Sequence, residues 1–416
     1  IGLALNLSNN VMKAYFDFHP QVVHDLHESI PFLYISTGTG PYNPALDPLM
    51  IDEWHRMAYN EVNELTRRGL PGVWTHGFYD GWAPNYMFWI GMGHNSIGRF
   101  YETFGNRWPT TEERIVRSAS ERQWFRPNPP LPKVRWSLRN NVNFQQSGLL
   151  LALADMSKNR ARFLENFWTL SKRSVAKAQN EGPAAYVFPA DQKRGGNLRD
   201  LISVLQKHGV EVHATQQPLT IDPAWPPAKP ADATKSDDKA KDEKKDAKPK
   251  SPNVTFARGS FVVRMDQPYS RLADTLLDVQ YVRGDDRVYD DTGWTLGYLK
   301  NVEFTRVANA DVLKTPMTLL SAPPAAPQSP IASDVEHARR FFADPATKKP
   351  RIAILHSWLR TQDEGWYRLA LESLGVPYDY ISTQDVAAMP NVRERYDVVI
   401  FPPVEASPMS GDIVNG

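Results

Sequence analysis

The chain is 416 residues long, 41% hydrophobic and 11% aromatic, which is enough apolar matter for two or three domains with cores and excludes a wholly disordered protein. Its 48 basic and 47 acidic side chains nearly cancel, so no global field favours nucleic acid or an anionic membrane surface as a partner. Cysteine is absent, which excludes disulfides, thiolate metal sites and cysteine nucleophiles within these residues, and no apolar run is long enough to span a bilayer.

The opening Ile1-Gly2-Leu3-Ala4-Leu5-Asn6-Leu7 has neither the basic start nor the apolar length of a signal peptide. The chain begins on Ile1 and stops soon after an apolar strand, so both ends are expected to be cuts within a longer protein. Residues 1–126 mix short apolar runs, Val22-Val23 and Phe32-Leu33-Tyr34-Ile35, with one clear helix over 48–68. There Met50, Trp54, Met57, Ala58 and Val62 recur at spacings near three and four, forming one apolar stripe, and Gly69 supplies the stop.

The stiff Pro127-Asn128-Pro129-Pro130-Leu131-Pro132 marks a boundary, after which 127–320 is expected to be an α/β middle region. Helical patterns fill 138–180, followed by a strand at 184–188, a helix over 198–208 stopped by Gly209, and a strand at 210–213, which together predict a βαβ unit. Residues 223–252 are nearly all Pro, Ala, Lys and Asp and bury too little to offset ordering entropy, so they are expected to be a disordered insertion. A strand at 260–265 and a helix at 271–279 resume the fold beyond it. A linker and lead-in, 321–350, precede a last unit at 351–416. In that unit strands at 351–356, 378–381 and 396–402 with a helix at 365–374 predict a flavodoxin-like parallel sheet. The fold class is therefore α/β.

Chemistry concentrates in two places. Between Phe16 and Ser29 stand His19, His24 and His27 with Asp17, Asp25 and Glu28, around the apolar pair Val22-Val23. Neutral imidazole is a strong zinc ligand and a neighbouring carboxylate can fix its tautomer, but ordinary hydrogen-bonded histidines fit the same pattern. A helix would put His24 and His27 on one face; a strand running into a loop, favoured by Pro20 and the two valines, sends them to opposite faces. Nothing matches His-Glu-x-x-His. The second place is Glu102, inside the apolar run of Ile97, Phe100, Tyr101 and Phe104, where an unpaired carboxylate pays desolvation. A general base acting on metal-bound water has reason to sit there, because partial burial raises its pKa toward the working range. The competing reading pairs Glu102 with Arg99 or Arg107 at the surface.

Three segments taken together, Asp25-Leu26-His27-Glu28, Tyr42-Asn43-Pro44 with Asp47-Pro48, and Ser96-Ile97-Gly98-Arg99-Phe100-Tyr101-Glu102-Thr103, resemble the distal half of the catalytic domain of zinc carboxypeptidases of the carboxypeptidase A-like family. The resemblance covers about residues 1–110. It implies a partial carboxypeptidase-like mixed sheet, one Zn2+ as cofactor, His27 as the later zinc ligand, Glu102 as the base that activates the zinc-bound water, and a peptide or protein substrate. It also implies a secreted or periplasmic location. Family members hold the zinc with an earlier His-x-x-Glu as well and clamp the substrate carboxylate with an Asn-Arg pair; neither precedes His27 here, and both are expected upstream of Ile1, the alternative being a metal-free relative. Tyr79 and Tyr86 fall at about the distance ahead of Glu102 where the family places a mobile substrate-binding tyrosine, although a core role fits so aromatic a stretch better. His76 and His94 are expected to be structural.

The segment Tyr289-Asp290-Asp291-Thr292-Gly293-Trp294-Thr295-Leu296 resembles one that follows the catalytic domain in bacterial members, and a turn packed by Trp294 is its simplest reading. The last unit resembles a class I glutamine amidotransferase-like domain, but without a cysteine it is expected to be structural or ligand-binding. The expected function is zinc-dependent hydrolysis of peptide bonds, with a zinc amidase or deacylase on the same fold, or a noncatalytic peptide- or ligand-binding protein, as alternatives.

Overall fold

Asp47 starts the helix that organises the first half of the chain. In the computed structural model its carboxylate accepts the Leu49 N–H at 2.9 Å, with Pro48 at the first helical position, where a missing N–H costs nothing. The residues described are 2–77, 81, 86–106, 109–117, 120–223, 253–279, 285, 295–325, 330–357 and 361–403. They form two compact units, 1–325 and 326–416, so that residues 1–126 and 127–320 belong to one unit.

The first unit opens with α1 (Asn6–Phe18), then β1 (Val22–Leu26), β2 (Leu33–Ile35), α2 (Pro48–Arg67), β3 (Val73–Trp74), α3 (Met87–Gly93) and β4 (Ile97–Thr103). A sheet of order β1-β4-β2-β3 results, mixed in direction because β1 runs parallel to β4 while β2 runs antiparallel to it and parallel to β3. Helix α2 buries the expected Met50, Trp54, Met57 and Ala58, each large apolar side chain contributing about 1.5–3 kcal/mol. The same face also buries Glu53 and Glu61, whereas Val62 is only half-buried. Every residue of the central strand β4 is buried. At Gly98 an added Cβ would lie 1.7 Å from the Phe88 carbonyl oxygen, which shows how closely α3 lies on the strand.

A hairpin of β5 (Glu112–Ile115) and β6 (Lys133–Trp136) leads into two long helices, α4 (Leu138–Lys158) and α5 (Arg160–Asn180). Next come β7 (Ala185–Phe188), α6 (Gly195–Lys207), β8 (His213–Thr215), β9 (Leu219–Ile221), β10 (Val254–Phe256), β11 (Phe261–Arg264), α7 (Ser270–Leu277), α8 (Leu296–Leu299), β12 (Thr305–Val307) and β13 (Met317–Leu319). The expected βαβ unit is present in modified form. Strands β7 and β8 do not pair with each other, because β11 lies between them and runs antiparallel to both, in a sheet of order β12-β7-β11-β8-β13. Strand β8 also begins only at His213, where the sequence suggested a start at Val210. Strands β9 and β10 pair antiparallel and bring together the chain on either side of the expected insertion, whose residues 224–252 lie outside the described ones, as does the segment 289–294. Arg271 of α7 reaches back to α2, bonding Asp47 at 3.3 Å and the Ala45 carbonyl at 3.0 Å as well as Glu181 at 2.7 Å.

The second unit contains α9 (Pro330–Ala343), β14 (Ile352–His356), α10 (Thr361–Leu374), β15 (Asp379–Ser382), α11 (Thr383–Ala387), α12 (Val392–Arg395) and β16 (Val398–Ile400). Its three strands are parallel in the order β15-β14-β16, around Ala353, Ile381 and Tyr396. The protein is thus mixed α/β. Among the described residues no helix is long and apolar enough to cross a membrane.

Candidate functional site

Strands β1 and β4 pair with His24 opposite Arg99 and Leu26 opposite Tyr101. Past the end of β1 the chain stays on this track, because the His27 N–H donates to the Tyr101 carbonyl at 2.9 Å and the Ile30 N–H to the Thr103 carbonyl at 3.0 Å. Gln145 of α4 ties it down further by donating to the His27 carbonyl at 2.8 Å. His27 and Ser29 are therefore laid along the strand that carries Glu102.

Successive side chains of a strand point to opposite faces, and His24 and His27, three residues apart, separate accordingly. His27 meets Glu102: its Nδ1 lies 3.3 Å from both carboxylate oxygens. The Ser29 hydroxyl donates to Glu102 Oε2 at 3.1 Å. Glu102 is 5% exposed, whereas the His27 side chain is 57% exposed, so the imidazole caps a buried carboxylate from the solvent side. Burial raises the Glu102 pKa, opposed by His27 and by the Ser29 hydrogen bond. Asp25, on the same side of β1 as His27, is also raised by burial and opposed by His27.

His24 turns the other way, toward α2 and α4. Its Nε2 accepts from Arg99 Nη1 at 2.9 Å, and burial together with that cation pushes its pKa down to about 2, so the ring is neutral. Arg99 also grips both oxygens of Glu61 on α2, at 2.5 and 2.8 Å, and the Tyr101 hydroxyl donates to Glu61 at 2.6 Å. The suggested surface pairing of Glu102 with Arg99 is thus excluded by geometry, since the two side chains lie on opposite faces of β4. Glu61 was not foreseen, although a carboxylate on the apolar stripe of α2 is itself a signal.

The remaining candidates lie elsewhere. Tyr86 caps the start of α3 and stacks on Phe88 with ring centroids 5.9 Å apart, against the first core. Tyr79 and Arg107 are outside the described residues. His76 packs against Trp124 and Phe125, and the buried His94 faces the carbonyls of Ile90 and His208 at 2.7 and 2.9 Å. The sequence His208-Gly209-Val210-Glu211 has the His-x-x-Glu spacing but follows His27, and it places His208 in the core and Glu211 at the surface.

A catalytic zinc ordinarily takes three protein ligands. Among the described residues no group of three or more histidines, cysteines, aspartates or glutamates is arranged to hold a metal ion. His27 could supply one ligand, but the residues around it do not complete a site. What the arrangement can do by itself is proton chemistry: a shielded carboxylate of raised pKa, oriented by a hydroxyl and capped by an imidazole.

No family model, no curated protein and no solved structure matches the chain.

Proposed function

We propose that this chain carries the general-base part of a hydrolase site of the zinc-carboxypeptidase kind, acting on a peptide or protein substrate, with Glu102 as the base. The single observation behind this is the buried Glu102 carboxylate, its pKa raised by burial and its oxygens met by Ser29 and His27. Ionised Glu102 takes a proton from the water that attacks the acyl carbon, and protonated Glu102 returns it to the departing amine. A carboxyl whose pKa is moved toward the working pH serves both halves of that cycle. Ser29 orients the carboxylate, and His27 at the rim can pass protons between Glu102 and solvent. His27 is also the residue offered to the zinc that the resemblance implies; among the described residues no group of three or more such side chains is arranged to hold it.

The test is hydrolysis of peptides with free and with amidated C termini by the full-length protein. Cleavage limited to free C termini supports a carboxypeptidase; cleavage of both supports an amidase or deacylase. One observation favours a noncatalytic binding role as the second reading: the His27 nitrogen nearest the site is already engaged by Glu102. Peptide binding without turnover is its signature.

A further inference from the structure

Beneath the His27–Glu102 pair, on the other face of the same two strands, lies a hydrogen-bonded quartet of Glu61, Arg99, Tyr101 and His24. Glu61, Arg99 and Tyr101 are each at most 1% exposed, and His24 is partly buried. Exchanging a buried ion pair for apolar side chains of similar volume is often neutral or stabilising, so a pair kept in the core points toward specificity of arrangement.

The arrangement it specifies is the register of β1 on β4. His24 and Arg99 are opposite one another, and the same step of three residues leads from His24 to His27 and from Arg99 to Glu102. A slip of one residue between the strands would turn one member of each pair to the wrong face. A slip of two would keep the faces but carry His27 about 6.6 Å along the strand from Glu102. Either slip parts His24 from Arg99, whose Nη1 reaches both Glu61 and His24 and whose position is set by α2. The Tyr101 hydroxyl on Glu61 adds a second tie between α2 and β4. The neutral state of His24 fits the role, since only an unprotonated Nε2 accepts from Arg99.

We infer that Arg99, held by Glu61 and bonded to His24, is a positioning residue that sets the register in which His27 meets Glu102. The inference takes its purpose from the reading of Glu102 as a base, but its geometry can be tested without any turnover.

The readout is the tautomer of His27, followed by 15N NMR of its ring nitrogens in the full chain. With Glu102 ionised and in place, the proton sits on Nδ1. Arg99→Met alone leaves Glu61 buried and unpaired and can fail to fold, so the informative variant is Glu61→Gln with Arg99→Met, in which the introduced amide oxygen still accepts from Tyr101. It should fold, lose the fixed Nδ1–H signature in favour of the mixture of a free imidazole, and speed amide exchange at His27 and Ile30 at least tenfold. His24→Gln, which keeps an acceptor for Arg99, should retain the signature, and His24→Leu should lose it. A folded double variant with the wild-type His27 signature overturns the inference, as does loss of that signature in His24→Gln but not in His24→Leu. If wild type hydrolyses no peptide yet the signature responds as expected, the proposed function fails and this inference stands.

Discussion

His24 and Arg99 hydrogen-bond at 2.9 Å across β1 and β4, and three residues further along each strand His27 and Glu102 meet at 3.3 Å on the opposite face. One pair lies under helices, locked to Glu61; the other reaches the surface. The same backbone register serves both, so changes on the hidden face are expected to be read out at the exposed one.

The hidden pair makes stability depend on pH. The folded-state pKa of His24 is lowered from an ordinary 6.5 to about 2, so between these values the unfolded chain binds a proton that the folded chain refuses. That contribution is fully present above the unfolded value and is lost as pH falls, reaching about 2 kcal/mol by about pH 5. Glu102 and Asp25, raised by burial, act in the opposite sense, because the cost of ionising them in the fold is relieved as pH falls through their folded values. The difference between wild type and His24→Gln isolates the histidine. Urea unfolding at about pH 7.5 and about pH 5 should show wild type losing about 2 kcal/mol more than the variant; parallel losses contradict the assignment.

Glu102 should trade stability for chemistry. Burial penalises its charge, and a neutral amide in its place would keep an oxygen for the Ser29 hydroxyl, so Glu102→Gln should leave unfolding free energy at neutral pH unchanged or raise it by up to about 2 kcal/mol. A loss above about 1 kcal/mol would mean that the carboxylate is a structural brace.

The contact of α3 with β4 allows no side chain at Gly98, where an added Cβ would sit 1.7 Å from the Phe88 carbonyl oxygen and 2.5 Å from its carbon. Since those are backbone atoms, Gly98→Ala must displace α3 or the strand that holds Glu102. A cost of about 3 kcal/mol or more is expected. Gly105, just past the same strand, has open space where its Cβ would be and serves as the control: Gly105→Ala should change stability by about 0.5 kcal/mol or less. Similar effects at the two positions would contradict the packing.

Much of this is legible in the sequence. The spacing of Met50, Trp54, Met57 and Ala58 predicts α2 and its buried face, and Pro20 with Val22-Val23 predicts a strand that parts His24 from His27. Once 97–103 is a strand, period-two alternation puts Arg99 and Glu102 on opposite faces and rules out their pairing, which the sequence alone leaves open. What stays hidden is non-local. Glu61 meets Arg99 from 38 residues away, and nothing in a single sequence announces which buried carboxylate will find which buried guanidinium. Strand β11 likewise enters between β7 and β8 from beyond the stretch 223–252, where the sequence pattern suggests simple neighbours.

The central claim is that Glu102 moves the proton in peptide hydrolysis, and steady-state kinetics of Glu102→Gln beside wild type, both as the full-length protein, test it most directly. A general base contributes about 10²–10⁴-fold, so kcat should fall by that much while KM stays within about threefold. A variant that turns over within about threefold of wild type, or a wild type that hydrolyses no peptide at all, contradicts the account.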